Sequence, residues 1–265
     1  MFGLFKSKSA PPPPAEPPNV GDERRVYAIG DIHGRLDLLT DLIDLIAEDD
    51  HARGPTNGTE LIFLGDYIDR GPDSAGVIDF VLRLREWWPG ITCLQGNHEE
   101  VFLMAARGDE NALRFLTRIG GRETLMSYGA SEQDLDQMTL GELRDWLMAA
   151  VPEQHLQFLE SMGDRVLIGD YAFVHAGIRP DVPMDEQESK DLRWIRDEFL
   201  DFDKPHPFFV IHGHSITAAV EQLPNRMGID TGAYDSGVLT AVGLEGSERW
   251  LLNTAGQRGL NSPAV

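Results

Sequence analysis

The sequence is short of three things, and each shortage removes a class of explanation. It has one cysteine, so no internal disulfide can staple it, and its 265 residues must bury a core by ordinary apolar packing. Positive charge is scarce: 23 lysines and arginines stand against 44 aspartates and glutamates, a net charge of −21. A surface this acidic repels phosphate backbones and anionic lipid, which argues against general nucleic-acid or membrane-surface binding and makes metal cations the more natural guests. No apolar run reaches membrane-spanning length, so no stable membrane insertion is expected, and Met1-Phe2-Gly3-Leu4-Phe5 is too short for a secretory hydrophobic region. The expected location is cytoplasmic. Cys93, inside Ile91-Thr92-Cys93-Leu94, reads as core filling.

Proline is present but concentrated at one end. Pro11-Pro12-Pro13-Pro14 and Pro17-Pro18 favour extended, solvated chain, so residues 1–23 are expected to form a disordered proline-rich tail ahead of a single domain over 24–265. Docking of Phe2, Leu4 and Phe5 on a partner or membrane is the alternative, weakened by having only Lys6 and Lys8 as an anchor. From 24 onward, nearly continuous apolar runs at 26–29, 61–64, 91–94, 172–174 and 208–211 read as strands buried on both faces. Leu39, Leu42, Ile43 and Ile46 share one helical face after the first run, as do Val77, Val81 and Leu84 after the second. The opening is therefore βαβαβ. Over about 99–162 the strand signal stops, and breaks at Gly108, Gly120-Gly121, Gly129 and Pro152 divide the stretch into four or five helices, an insertion over one side of the sheet. Beyond Gly213, segments at 218–223, 227–230, 237–244 and 249–253 suggest antiparallel hairpins.

Polar residues recur where the apolar runs end. Gly30-Asp31-Ile32-His33-Gly34 follows the first run, Gly65-Asp66-Tyr67-Ile68-Asp69-Arg70-Gly71 the second and Gly96-Asn97-His98-Glu99 the third. His175-Ala176-Gly177 follows the fourth, and His212-Gly213-His214-Ser215 the fifth. Taken singly, Asp31 reads equally well as a helix cap, Asp66 as a turn residue, Asn97 as another cap and His175 as a core histidine. Five such coincidences at five strand ends point instead to one shared site, because ligands of open α/β sheets bind beyond the carboxyl ends of the strands. His51, His155 and His206 follow no such pattern and are expected at the surface, while His212 stays open as a ligand.

These motifs resemble, in order and spacing over about 24–253, the calcineurin-like metallophosphoesterases. The likeness is strongest to the bacterial and phage serine/threonine phosphatases of their phosphoprotein phosphatase branch. The resemblance implies a four-layer α/β sandwich with two central mixed sheets. It implies that Asp31, His33 and Asp66 hold one divalent metal, and that Asp66 bridges to a second completed by Asn97, His175 and His214. His98 would be the proton donor, oriented by Asp69, and Arg70 would offer its planar fork to phosphate. Leu192-Arg193-Trp194-Ile195-Arg196 resembles the family's Trp-x-Arg segment, which makes Arg196 the second phosphate clamp and Arg193 the fallback. Oxygen and imidazole ligands suit Mn²⁺, with Fe or Zn²⁺ as alternatives, and a pair of such ions can generate a shared hydroxide near neutral pH.

The expected function is hydrolysis of phosphomonoesters, chiefly phosphoserine or phosphothreonine in a phosphoprotein or phosphopeptide, with phosphotyrosine possible. The alternative is a symmetrical diadenosine-tetraphosphate hydrolase; those relatives typically carry alanine where this chain has Asp69. A phosphoprotein-binding scaffold is a non-enzymatic alternative, disfavoured because none of the six ligands is missing.

Overall fold

The first strand sets the layering. In the computed structural model, which describes residues 17–21 and 23–256, β1 (Arg25–Ile29) is buried along its whole length and its side chains alternate between two cores. Tyr27 and Ile29 face helices, whereas Val26 and Ala28 face a second sheet. β2 (Thr59–Phe63) repeats the pattern, with Leu61 and Phe63 toward helices and Ile62 toward the other sheet. Such two-sided burial is why these strands read as apolar runs without a polar face.

The two sheets are both mixed. β1 pairs in parallel with β2 and β2 with β3 (Ile91–Cys93), and the intervening helices α1 (Leu36–Arg53) and α2 (Ser74–Trp87) provide the crossovers. α2 starts at an N-cap, where the Asp73 carboxylate accepts from the Gly76 N–H at 2.8 Å. The second sheet has β4 (Arg165–Ile168), β5 (Tyr171–Val174), β6 (Phe209–His212), β7 (Glu221–Gln222) and β8 (Arg226–Gly228), in the order β4-β5-β6-β8-β7. β9 (Thr240–Glu245) and β10 (Glu248–Asn253) return to the first sheet, giving β10-β9-β1-β2-β3. Tyr171, Phe173, Phe209 and Ile211 meet Val26, Ala28 and Ile62 between the sheets, and Val174 and Val210 pack outward on Leu192, Ile195 and Phe199. This is the expected four-layer sandwich.

Several expectations change in detail. The insertion has six helices among the described residues: α3 (Asn97–Ala106), α4 (Glu110–Leu116), α5 (Gly121–Ser127), α6 (Glu132–Gln137), α7 (Leu140–Ala150) and α8 (Glu153–Glu160). The missed break lies at Met138-Thr139, where Thr139 and Glu142 form a capping box that starts a new helix. β4 is also new, an edge strand turned tightly into β5. The 218–223 segment pairs only over two residues, and β8 runs parallel to β6, so only β7–β8 and β9–β10 are hairpins at this end. Of the expected tail, 1–16 lie outside the described residues. Asn19 and Val20 belong to the packed domain: Val20 is buried between the sheets, and the Asn19 N–H donates to the Asp170 carboxylate at 2.9 Å. Two short helices complete the second sheet's outer layer, α9 (Ser189–Trp194) and α10 (Asp197–Leu200), and α11 (Ala233–Ser236) lies in the β8–β9 connection.

One carboxylate ties the ends of β2 and β3 together. Glu99, in the first turn of α3, accepts from the backbone N–H groups of Gly96 (2.9 Å), Asp66 (2.9 Å) and Tyr67 (2.8 Å) and has no exposed surface. Glu99→Gln keeps the shape but turns one acceptor into a donor facing N–H groups, so each orphaned donor should cost on the order of 1–3 kcal/mol. The expected result is a lower urea midpoint with an unchanged m-value. A midpoint equal to wild type would show that these bonds do not hold the two turns.

Candidate active site

The strand ends deliver their polar residues through strained turns. His33 (φ 46°), Asp66 (φ 50°), Asp69 (φ 71°), Arg70 (φ 68°) and His214 (φ 63°) all have left-handed backbone, which costs a non-glycine residue of order 1–3 kcal/mol and clusters at functional sites. Neighbouring glycines make room for this. A Cβ at Gly96 would overlap Asp66 Oδ1, and one at Gly213 would overlap Asp31 Oδ1.

The structure brings together all six residues expected to bind metal. His33 Nδ1 donates to the Ile68 carbonyl at 2.7 Å, which turns Nε2 toward Asp66 Oδ2, 3.6 Å away. His175 Nδ1 donates to the Leu64 carbonyl at 3.0 Å, and its Nε2 lies 3.4 Å from Asp66 Oδ1, 3.0 Å from Asn97 Oδ1 and 3.2 Å from His214 Nδ1. Backbone carbonyls thus fix the tautomers and leave lone pairs facing the two oxygens of one carboxylate. Asp31 accepts from the His214 N–H at 3.0 and 3.2 Å, one distance per oxygen. Potential donor atoms of His33, Asp66 and His98 lie within 4.8 Å of one another, as do those of Asp66, His175 and His214. The first trio therefore contains His98 where the resemblance implied Asp31.

Charge balance in this pocket calls for cations. Asp31, Asp66 and Asp230 are buried carboxylates, and none has a lysine or arginine ion pair among the described residues. Burial, then the neighbouring Asp230 and Asp66 charges, push Asp31 well above the usual carboxylate range, and burial also raises Asp230. Burial opposes the charge on Asp66 too, but His175, His98 and His33 outweigh it and hold that carboxyl low. Burial lowers His33 to about 3 and, with His175 beside it, His214 to about 2, so both imidazoles are neutral and keep lone pairs. His214 Nε2 is buried without a hydrogen-bond partner. Oxygen and neutral imidazole donors around a shared carboxylate fit two divalent cations.

The expected acid and the first of the expected clamps, Arg70, occupy the same pocket. His98 Nδ1 lies 2.6 Å from Asp69 Oδ2, and Asp69 is held by the Thr124 hydroxyl (2.6 Å) while its N–H donates to Ser74 Oγ (3.0 Å). Burial works against charge on His98, yet Asp66 and Asp69 outweigh it and raise its pKa above the ordinary imidazole value. Arg70 donates to His33 Nε2 at 2.9 Å and has its other terminal nitrogen 3.1 Å from His98 Nε2, with no carboxylate partner among the described residues. Arg196 is exposed, makes no ion pair among the described residues, and its charge is felt at His214. Arg193 is committed elsewhere, 2.7 Å from Asp164 through Nε and 3.6 Å from Glu100.

Some readings are corrected. His212 is a core histidine, its ring 5.0 Å from Phe199 and its Nε2 3.2 Å from Arg226, outside both donor groups. His51 is exposed as expected, but His155 is buried between the Tyr128 hydroxyl and Asp79, and His206 is half-buried between Phe199 and Phe202. Glu99 and Asp230 were not singled out from the sequence. The signal for Asp230 was present: it follows the run Met227-Gly228-Ile229 as a sixth strand end of the same kind. Glu99, quoted beside His98, gave no sign that it reaches back to another loop.

Comparison with known proteins identifies the family. A bis(5'-nucleosyl)-tetraphosphatase of the asymmetrical type from Anoxybacillus flavithermus is 28% identical over 238 residues, covering 81% of this chain and 88% of that protein. A symmetrical bis(5'-nucleosyl)-tetraphosphatase from Neisseria gonorrhoeae is 28% identical, covering 87% and 96%. Serine/threonine-protein phosphatase 1 of Salmonella typhimurium is 36% identical, but over 90 residues that make up 34% of this chain and 37% of that one. The crystal structure of a putative diadenosine tetraphosphatase shares the fold with a TM-score of 0.60 at 22% identity, covering 86% of this chain and 93% of that one. The calcineurin-like phosphoesterase pattern spans residues 24–238, and the chain belongs to that family.

Proposed function

We propose that this phosphoesterase hydrolyses dinucleoside polyphosphates, using two divalent cations, with Mn²⁺ the first candidate. The observation that carries the substrate class is coverage: relatives matched over nearly their whole length are named nucleosyl-tetraphosphatases, whereas the protein phosphatase named above matches over about a third of the chain. Asp31, His33 and Asp66 would hold one ion, and Asp66, Asn97, His175 and His214 the other. The pair supplies a Lewis acid and a nucleophile at neutral pH. Arg70 binds phosphoryl oxygens with its fork, displacing its contacts to His33 and His98, and Arg196 approaches from the second sheet. Glu99 keeps the Asp66 turn in place while substrate and product exchange. Protonated His98, oriented by Asp69, donates from Nε2 to the departing oxygen.

That last feature favours a second reading. A nucleotide phosphate leaves as a stable anion and gains little from a proton donor, whereas a serine alkoxide needs one. The 2.6 Å Asp69–His98 pair therefore favours phosphomonoesters such as phosphoserine. A panel of diadenosine tetraphosphate beside phosphoserine, phosphothreonine and phosphotyrosine peptides, with Mn²⁺-loaded protein, decides between them. The dinucleotide should give the highest kcat/KM, and preference for any phosphopeptide would reverse the order of the two readings.

The residue roles give further expectations. Asp66→Asn should lose both hydrolysis and bound metal while staying folded; retained metal stoichiometry and activity would remove Asp66 from its bridging place. Arg70→Ala and Arg196→Ala should each lower kcat/KM by about 10²-fold, as electrostatic clamps do, with Arg193→Ala much closer to wild type. A silent Arg196→Ala beside an impaired Arg193→Ala would exchange the two assignments.

His98 also predicts a pH dependence. Its raised pKa keeps it protonated to higher pH, so turnover of an alkyl phosphate should be full below that pKa and fall as pH rises through it. Asp69→Asn removes a charge that raises His98, so the alkaline limb should move to lower pH. His98→Asn should cost on the order of 10²–10⁴ with an alkyl phosphate and clearly less with p-nitrophenyl phosphate. Equal losses would mean that His98 is not the donor.

A further inference from the structure

Beside the metal-binding pocket, between the N-terminal ends of α1 and α2, lies a cleft of about 710 Å³. Arg70 and Tyr234 belong to both places. The Tyr234 ring lies 5.5 Å from that of His33, edge-on, and the Arg70 guanidinium carbon sits 4.9 Å from the Tyr234 ring centre. A molecule whose phosphate meets Arg70 can therefore continue into the cleft without leaving the protein surface.

Polarity changes along that path. At the near end Arg70 has no carboxylate partner among the described residues, and an anion would replace its contacts to His33 and His98. At the far end Arg35 is neutralised by Asp37, which it grips through two bonds of 2.8 and 2.7 Å, and it also donates to the Ala233 carbonyl at 3.0 Å. No uncommitted cation lines this end, and the carboxylates of Asp37 and Asp73 repel further phosphates. What they offer is hydrogen-bond acceptance, since the Asp73 carboxylate has an oxygen beyond the one that caps α2. Leu36, Pro72 and the Tyr234 ring supply apolar wall. The matching ligand is anionic at one end and, beyond it, flat, uncharged and rich in N–H and O–H donors. Those are the properties of a nucleotide, and the volume falls in the range of small-molecule sites.

We propose that this cleft binds a nucleoside of the substrate, with Tyr234 against its base or sugar and Asp73 accepting from its donor groups. The proposal rests on the dinucleoside polyphosphate reading and adds where the nucleoside sits. It makes Tyr234 and the first turns of α1 determinants of specificity, separate from the residues that handle phosphorus.

Thr40 lines the cleft from α1 and touches none of the metal-binding residues, its hydroxyl donating to the Leu36 and Asp37 carbonyls. Thr40→Trp should fill the cleft, so full-length, Mn²⁺-loaded variant and wild type are compared on diadenosine tetraphosphate and on p-nitrophenyl phosphate. The expected result is a KM for the dinucleotide raised at least about tenfold, with kcat/KM for p-nitrophenyl phosphate within about twofold of wild type. Unchanged dinucleotide kinetics would overturn the proposal, and so would a loss confined to phosphopeptides, which would give the cleft to a peptide. If Thr40→Trp lost both activities, Thr40→Gln would decide by the same ratio. Adenosine monophosphate as a competitor of p-nitrophenyl phosphate separates this proposal from the reading beneath it. A wild type that cleaves the small ester but not the dinucleotide refutes the substrate reading. The nucleoside cleft still stands if adenosine monophosphate competes with wild type and fails against Thr40→Trp, and falls if it competes with both equally.

Discussion

A single carboxylate, that of Asp66, has to face two groups of nitrogen donors at once, and the rest of the structure is arranged around that demand. One oxygen looks toward His33 and His98, carried by the first sheet, and the other toward His175, carried by the second. No one sheet could supply both sides. The sandwich places the carboxyl ends of β1, β2 and β3 against those of β5 and β6, and the Asp66 turn lies where the two sets meet. Because that turn is left-handed, it needs support, and Glu99 gives it by accepting the Asp66 and Tyr67 N–H groups. A buried carboxylate outside both donor groups thus holds the turn that carries the shared one.

Much of this was legible because buried parallel strands write a simple pattern. Runs such as 26–29 and 61–64 are apolar on both faces, and the first polar residue after each has few places to point other than the shared cleft. Elements without two-sided burial left weaker marks. β4 is an edge strand with Leu167 exposed, and its four residues carry no periodicity that separates them from a loop. The Thr139 helix start is marked by its capping box, Thr139 with Glu142, a sequence signal more local than the apolar periodicity that marks the longer helices. His155 looked like a surface group because nothing local marks it; its partners Tyr128 and Asp79 are brought to it only by packing of α8 on α2 and α5. Glu99 was illegible for the same reason, since its bonds to Asp66 and Tyr67 span more than thirty positions.

The acidic surface and the anionic substrate need reconciling. A net charge of −21 opposes the approach of a polyphosphate, but that repulsion is long-ranged and is screened beyond about 8–10 Å at physiological ionic strength. Inside the pocket the local balance differs. Arg25, Arg107, Arg144, Arg179 and Arg193 are all engaged by aspartate or glutamate. Arg70 and Arg196 are among the described arginines without an ion pair, and in the reading proposed above they would take phosphate oxygens beside the cations. Recognition would then rest on a few local charges within an acidic surface.

The proposed proton donor and the proposed metal ligands share one pocket, and their surroundings keep the roles apart. His33, His98, His175 and His214 are all buried, yet their surroundings divide them. His33 and His214 are driven neutral by burial, which suits a ligand that must present a lone pair. His98 faces Asp66 and has Asp69 at its back, and the two carboxylates together, the second fixed by Thr124 and Ser74, outweigh the cost of burying an imidazolium. Removing Asp69 would take away one of these two charges and lower the pKa of His98. The group behind Nδ1 separates His33, backed by a backbone carbonyl and driven neutral, from His98, backed by a carboxylate and raised; His175 also has a carbonyl behind it, and there the Asp66 charge facing its Nε2 outweighs burial and raises it.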